Sequence, residues 1–312
     1  MGEYNIGQFI YRSRKAIGLT QEELCQNENG IVCCSVETLS RIERGKQRPN
    51  FRTMRDIMRR LGKENCFCTP YLKTTDYRVL ELNRELKRIL TLNDYDNAER
   101  LLGELENELS LQYVTNRQYL VRLHATIDQR QGRITTEEEL ELLESALKMT
   151  VHSYGTRNFF FEILLPEEIV TVCNIADSYG RIGNIDKALL LLQTVINMLN
   201  DRTLQINYPT GIYEMVNRNR IKWVGEQGNY RQAICDCDKA INDCLKKQIL
   251  NTLPSLYYAR AYNMQKLRDT FPHHSDSRND MIDFDYIKCA LLAELIQDEK
   301  GRDKALSKLK EK

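Results

Sequence analysis

One short signal recurs along most of this sequence. A glycine or asparagine is followed by Asn or Asp and then by an aromatic or aliphatic side chain that opens a run with helical spacing. It occurs as Asn93-Asp94-Tyr95, Gly183-Asn184-Ile185 and Gly228-Asn229-Tyr230, in reduced form as Gly132-Arg133, and weakly near Lys266-Leu267-Arg268. Each lies between stretches whose apolar residues recur every three to four positions, so each is predicted to join two antiparallel helices. The clearest two units read GNIDKALLLLQTVINML (183–199) and GNYRQAICDCDKAINDCL (228–245). Their Ala188 and Ala233 are 45 residues apart, and Ala98 holds the same place after the first turn. One such helix pair cannot bury its apolar face alone, whereas several stacked in order can, so the periodicity predicts a helical solenoid.

Composition agrees with an all-helical chain. There are only 6 prolines and 15 glycines in 312 residues, too few for a turn-rich sandwich or barrel. Hydrophobic residues at 42% and charged residues at 29% are the balance of a folded globular protein. No apolar run approaches the roughly 20 residues needed to cross a bilayer. Met1 to Tyr11 lacks the basic and apolar regions of a secretory signal, so a cytoplasmic chain with no membrane partner is expected. The 10 cysteines then stay reduced and act mainly as small apolar fillers. Cys33-Cys34 and Cys66-x-Cys68 lack the paired spacing of a zinc site, so no metal and no other cofactor is expected.

Residues 1–68 read as a separate head. Asn5-x-x-Gln8 and Thr20-x-x-Glu23 have the form of capping boxes, Ser35 is a third helix start, and Pro49-Asn50 is a fourth. The apolar sets are Ile6, Phe9, Ile10 and Ile17; Leu24; Val36, Leu39 and Ile42; and Met54, Ile57, Met58 and Leu61. Gly18, Gly45 and Gly62 follow the first, third and fourth helices as stops. None of these helices is long enough to persist alone, but together they make one small core. Between 41 and 63 stand nine basic residues against Glu43 and Asp56, the electrostatic signature of a phosphate-facing surface, although a plain solvated face has the same look.

The strings GLTQEEL (18–24) and SVETLSRIERGKQRPN (35–50) resemble the helix-turn-helix of the phage-repressor-like, xenobiotic-response-element family over about residues 4–62. The link between Leu24 and Ser35 is a few residues longer than the common pattern. The resemblance implies that the third helix lies in the major groove of a double-stranded DNA operator, with Val36, Glu37, Thr38 and Arg41 as its base-reading residues. Of these, Arg41 suits bidentate contact with a guanine; Glu37 fits equally well as an exposed helix former. Gln21, Ser35, Ser40, Arg44, Lys46 and Arg48 are implied phosphate contacts, which position without specifying. Arg14 and Glu43 are implied to form a buried ion pair between the first and third helices.

After a linker at 69–78, residues 79–312 resemble tetratricopeptide repeats, well at 169–199 and 213–245, fairly at 79–109 and 118–149, and poorly beyond 270. The fold expected is therefore all-α: a small helix-turn-helix domain followed by a tetratricopeptide-like solenoid. Projecting the repeat pattern puts Asn83, Lys87, Arg122, Thr126, Gln129, Asp177, Arg181, Arg218, Lys222, Arg260 and Asn263 on the concave face, where they would bind a short extended peptide. Trp223 and the tyrosines Tyr179, Tyr213, Tyr257, Tyr258 and Tyr262 are assigned to the repeat core. Ile287, Leu291, Leu292 and Leu295 mark a terminal helix that either caps the solenoid or joins a dimer interface.

A head with repeats behind it is similar to the peptide-responsive regulators of Gram-positive bacteria of the Rgg and PlcR types. That resemblance implies a homodimeric transcription regulator sensing a signalling peptide in quorum sensing. A DNA-tethered protein-interaction scaffold with no small ligand remains the alternative. No Walker loop, GxSxG, HExxH or dinucleotide fingerprint is present, so an enzyme is not expected.

Overall fold

The structure, a computed structural model, describes residues 6–26, 30, 32–47, 49–63, 72–74, 76–201, 208–271 and 279–310. Asn5, the 27–29 part of the long link, Arg48, Cys66, Cys68 and residues 69–71 and 75 of the linker lie outside the described residues.

Four helices build the head: α1 (Ile6–Ala16), α2 (Gln21–Cys25), α3 (Val36–Glu43) and α4 (Phe51–Arg60). Their starts are where the small polar residues place them. Thr20 Oγ1 accepts from the Glu23 amide at 3.1 Å, and the Glu23 carboxylate accepts from the Thr20 amide at 2.6 Å. Ser35 accepts from the Thr38 amide at 3.1 Å, and Asn50 from the Thr53 amide at 2.8 Å. Each cap satisfies a backbone donor that the first helical turn leaves open. Phe9, Ile10, Leu24, Leu39, Ile42, Ile57, Met58 and Leu61 are buried together. A side chain at Gly7 would begin 1.9 Å from the Ile42 carbonyl oxygen, so α1 and α3 meet backbone to backbone. The long link between α2 and α3 is closed at its base by an antiparallel bridge, Gln26 to Val32, and by the Cys33 amide donating to the Cys25 carbonyl at 2.9 Å.

The body is a right succession of antiparallel pairs: α5 (Tyr77–Thr91) with α6 (Tyr95–Glu108), α7 (Val114–Arg130) with α8 (Thr136–Lys148), α9 (Pro166–Arg181) with α10 (Ile185–Leu199), α11 (Ile212–Glu226) with α12 (Tyr230–Lys247), and α13 (Leu253–Thr270) with α14 (Asn279–Leu295), ending in α15 (Glu299–Lys310). A short 3-10 turn, Arg157–Phe161, leads into α9. The first helices of successive pairs touch, α7 to α9, α9 to α11 and α11 to α13, and form the inner layer.

The recurring turn has a simple physical meaning. Asn93, Gly132, Gly183 and Gly228 all take positive φ (56°, 74°, 89° and 89°), the left-handed conformation that ends a helix. Asp94 and Asn184 then cap the next helix with their side chains. The alanines Ala98, Ala188 and Ala233 are fully buried and let the paired helices approach. The weak candidate at 266–268 is not a turn: α13 runs unbroken from Leu253 to Thr270. The reversal that joins α13 to α14 falls after Thr270, and residues 272–278 of it lie outside the described residues; a further reversal, between α14 and α15, has Gln297 at φ 63° and Asp298 accepting from the Gly301 amide at 2.9 Å.

Head and body share one apolar core, which runs from Phe9 and Leu61 to Leu147, Phe159, Val172 and Trp223. Polar contacts lock the seam. Lys63 is buried and donates to Glu162 at 2.7 Å and to the Ile163 carbonyl at 2.8 Å. Arg12 pairs with Asp201 and donates to the Phe160 carbonyl at 3.2 Å.

Candidate functional site

The first candidate surface is the outer side of α3. Glu37, Arg41 and Arg44, at i, i+4 and i+7, are exposed, and neither other head helices nor the body cover them. Neither Glu37 nor Arg41 has a side-chain hydrogen-bond or ion-pair partner among the described residues. Arg44 folds back along the helix and donates to Ser40, to its carbonyl at 3.0 Å and to its hydroxyl at 2.9 Å. Lys46 is exposed just beyond the helix end.

Other expected contact residues are held by the head itself. Val36 is half-buried against the shared core. Thr38 is half-buried and its hydroxyl accepts from Ser35 at 2.8 Å, so Ser35 and Thr38 close the start of α3. Gln21 does not stand free: its amide donates to the Glu43 carboxylate at 2.7 Å. That carboxylate also takes a two-pronged contact from Arg14, at 2.7 and 2.9 Å, with both residues about 95% buried. The hydrogen bonds to Glu43 raise the Arg14 pKa above its ordinary value despite burial. This trio fixes the angle between α1, α2 and α3. Lys63, one of the nine basic residues of the 41–63 stretch, points inward to Glu162 and is not part of a solvent-facing surface.

The second candidate site is a cavity of about 690 Å³ on the inner layer of the body. Six of the eleven residues projected onto the concave face line it: Thr126, Asp177, Arg181, Arg218, Lys222 and Asn263. The other five do not. Asn83 accepts from the Tyr119 hydroxyl at 2.5 Å. Lys87 and Arg122 both hold Glu167 and flank the Tyr119 ring. Gln129 stays off the lining. Arg260 is gripped by Asp285 at 2.6 and 2.7 Å and by Asp238. Neighbouring carboxylates or rings thus account for four of those five side chains.

Residues that the projection missed complete the wall. Asn174 and Asn219 are 45 apart, and Cys173, Arg218 and Asn263 share one register of α9, α11 and α13. The repeat spacing carried that signal. Tyr258 and Tyr262, assigned to the core, are half-buried on the cavity wall instead. Lys304 had no local signal and the turn motif at Asn93 gave none for a cavity, because both reach the lining only when the superhelix closes. Lys300 on α15 donates to the Asn93 carbonyl, and Lys304 lies 4.5 Å over the Tyr258 ring. The last helix therefore reaches the first repeat turn and closes the cavity on one side. Trp223 is in the core as expected; a side chain at Gly180 would begin 2.3 Å from its ring.

Charge in the cavity is organised around Asp177. Burial pushes its carboxyl up, but Lys222, Arg181 and Arg130 more than offset this and hold it below the ordinary range. Burial raises the Glu139 carboxyl, against the pull of Arg181 and Ser178. Burial pushes the Cys173 thiol up to about 12, so it is a packing thiol rather than a nucleophile. Burial also lowers the Arg218 pKa, which Cys173 and Asp177 only partly oppose. Among the described residues, no group of three His, Cys, Asp or Glu side chains is placed to hold a metal ion, and no helix is long and apolar enough to cross a membrane.

Residues 10–64 match the helix-turn-helix family. No curated protein matches the chain in sequence. Among solved structures, PlcR of Bacillus thuringiensis in complex with the peptide PapR7 and DNA superposes with a TM-score of 0.61 at 18% identity, over 97% of this chain and 99% of that one. The apo form of the same protein gives 0.55 at 14% identity, over 98% and 99%. ComR of S. thermophilus, in complex with DNA and its signalling peptide ComS, gives 0.52 at 17% identity, over 97% of each chain. The chain is thus an all-α protein with a helix-turn-helix head on a helical repeat body, similar in fold from end to end to these three structures.

Proposed function

We propose that this chain is a sequence-specific DNA-binding transcription regulator, acting in the cytoplasm as a homodimer, whose repeat body binds a short peptide that resets its affinity for DNA. The observation that carries this reading is the outer face of α3, where Arg41 stands uncovered and unpartnered on a helix held rigidly by the Arg14, Gln21 and Glu43 trio. A helix presented this way fits the major groove, with its N-terminal half toward base edges. Arg41 then reads a guanine and Glu37 a cytosine amine, while Arg44 and Lys46 meet phosphates. The fold likeness to PlcR and ComR, whose structures hold both DNA and a peptide, supports the pairing of head and cavity.

The route between the two sites is short. Glu162, which holds Lys63 of the head, sits four residues before α9, and α9 supplies Cys173, Asn174, Asp177 and Arg181 to the cavity. A ligand that shifts α9 therefore acts on the head seam. Coupling of about 1–3 kcal/mol, or 5- to 150-fold in DNA affinity, is the usual size of such an effect. The homodimer is supported by an apolar stripe left open on α14: Met281, Phe284, Ile287, Leu291 and Leu295 share one face, with Leu291 and Leu295 62% and 77% exposed.

The test is a salt titration of binding to a duplex that the protein selects. Log affinity should fall linearly and steeply with log salt, as release of counterions from several phosphates demands. Affinity that is flat in salt would remove the DNA-binding reading, whatever the cavity binds.

A further inference from the structure

Three sulfurs gather at the base of the long link between α2 and α3. Cys34 Sγ lies 3.9 Å from Cys25 Sγ and 3.9 Å from Cys33 Sγ. Cys25 is the last residue of α2 and is buried, whereas Cys33 and Cys34 are half-buried. Cys34 immediately precedes Ser35, the residue that caps α3. The backbone already draws the two arms of the link together here, through the Gln26 to Val32 bridge and the Cys33 amide on the Cys25 carbonyl. Of the two sulfur contacts, one suits a covalent bond better. Adjacent residues have Cα atoms about 3.8 Å apart, below the range of about 4.4–6.8 Å that a disulfide usually spans, which disfavours Cys33 with Cys34. Cys33 is also engaged elsewhere, its thiol donating to the Leu24 carbonyl at 3.5 Å. Cys25 and Cys34 are nine positions apart and free of that steric limit.

We propose that Cys25 and Cys34 form an oxidation site, at which a hydroperoxide joins them in a disulfide that displaces the start of α3 and lowers affinity for DNA. The proposal rests on reading α3 as the DNA-contacting helix and adds a control to that site. The oxidant alone balances the chemistry. Cys34 Sγ takes the terminal oxygen of the hydroperoxide, giving a sulfenic acid and an alcohol, or water when the oxidant is hydrogen peroxide. The Cys25 thiol then displaces water from that sulfur, so two thiols lose two electrons and two protons as the bond forms. Burial pushes both thiols above their ordinary pKa, so little thiolate is present and the first step is slow. The pair therefore registers sustained exposure rather than traces of oxidant. The second step needs no encounter, because the resolving thiol is already in contact, and this spares the sulfenic acid from further oxidation. Arg60 donates to the Leu24 carbonyl at 2.9 Å, and its charge favours the Cys25 thiolate that performs this step. A disulfide holds its sulfurs about 2.05 Å apart, so the pair must close by about 2 Å. The displacement enters α3 at its capped end, and Glu37 and Arg41 follow within two turns.

The experiment uses the full chain, with hydrogen peroxide raised until the exposed Cys235 is oxidised as an internal control. Non-reducing peptide mapping by mass spectrometry locates disulfides, and titration with a duplex selected by the reduced protein gives affinity. Expected are a Cys25–Cys34 link and a loss of affinity of about tenfold, the size of one bidentate base contact, both reversed by dithiothreitol. Cys34→Ser should bind as the reduced parent does and keep its affinity in peroxide, and Cys25→Ala should do the same. Cys33→Ser should still respond. Thermal melting checks that each variant folds, and Cys34→Ala stands in for Cys34→Ser if the latter melts early. Oxidised Cys235 with Cys25 and Cys34 unlinked overturns the proposal. So does an unchanged affinity in protein that carries the link, or a folded Cys34→Ser that loses affinity as the parent does. A reduced parent that selects no duplex removes the DNA reading and the control with it, while the peptide map still decides whether the disulfide forms.

Discussion

At the scale of single residues, the head separates side chains that hold it together from those it presents. Arg14, Gln21 and Glu43 belong to the first group, since every charged or amide contact among them is internal. Removing one partner leaves a buried charge without compensation. Glu43→Ala should therefore lower stability by about 3–5 kcal/mol, read as a fall in urea midpoint with unchanged slope. Arg41 belongs to the second group. Arg41→Ala should leave the urea midpoint in place but weaken binding to the preferred duplex by about 1–3 kcal/mol and relax preference at one base pair. Lys46→Ala should weaken binding to all duplexes alike and reduce the salt slope by about one unit. The Arg14 and Glu43 pairing was legible from the family pattern, and the exposure of Glu37 and Arg41 from their spacing. The Gln21 contact was not, because an amide at a helix start serves a phosphate or a neighbour equally well. Lys63 was not legible either: its partner Glu162 is 99 residues away.

At the scale of elements, the repeat works through two kinds of glycine. Those at the turns supply positive φ. Gly180 and Gly225, 45 residues apart, allow close contact instead, Gly180 with the Trp223 ring and Gly225 with Asn263. Gly180→Ala should overpack that contact and cost about 1–3 kcal/mol, measured as a shift in thermal midpoint against a surface alanine control. The turns at 93, 183 and 228 could be read directly, because a Gly or Asn able to take positive φ followed by Asn or Asp at a helix start marks a reversal, although Asn229, unlike Asp94 and Asn184, makes no side-chain cap. The fifth turn was misplaced because 271–278, which joins α13 to α14, contains no Gly-Asn or Asn-Asp pair, so nothing there repeated the signal of the earlier turns. Asp177, Arg181, Arg218, Lys222 and Asn263 on α9, α11 and α13, and Thr126 on α7, were found, whereas Arg260 on α13 is taken by Asp285. On α5 and α7 the projection met Glu167 and Tyr119, which occupy Lys87, Arg122 and Asn83.

At the scale of the whole molecule, the head is not a bead on a linker. Its core continues into the body, and Lys63 and Arg12 fasten the seam. Lys63→Ala should strand Glu162, cost about 3–5 kcal/mol, and let hydrogen exchange in α1–α4 proceed well ahead of exchange in α9–α12. The stripe on α14 belongs to this scale as well. Leu291→Asp should convert a dimer to a monomer in sedimentation with little change in thermal midpoint of the monomer, since that side chain is 62% exposed. Closure of the superhelix by α15 could not be read from sequence, because Lys300 and Asn93 are 207 residues apart and the turn motif at Asn93 says nothing of a distant partner. The measurement that bears most directly on the account is selection from a pool of random duplexes by the full chain and by Arg41→Ala. The account expects the parent to enrich a single motif and the variant to lose preference at one position of it. No enrichment by the parent, or the same motif at equal strength from both, would contradict it.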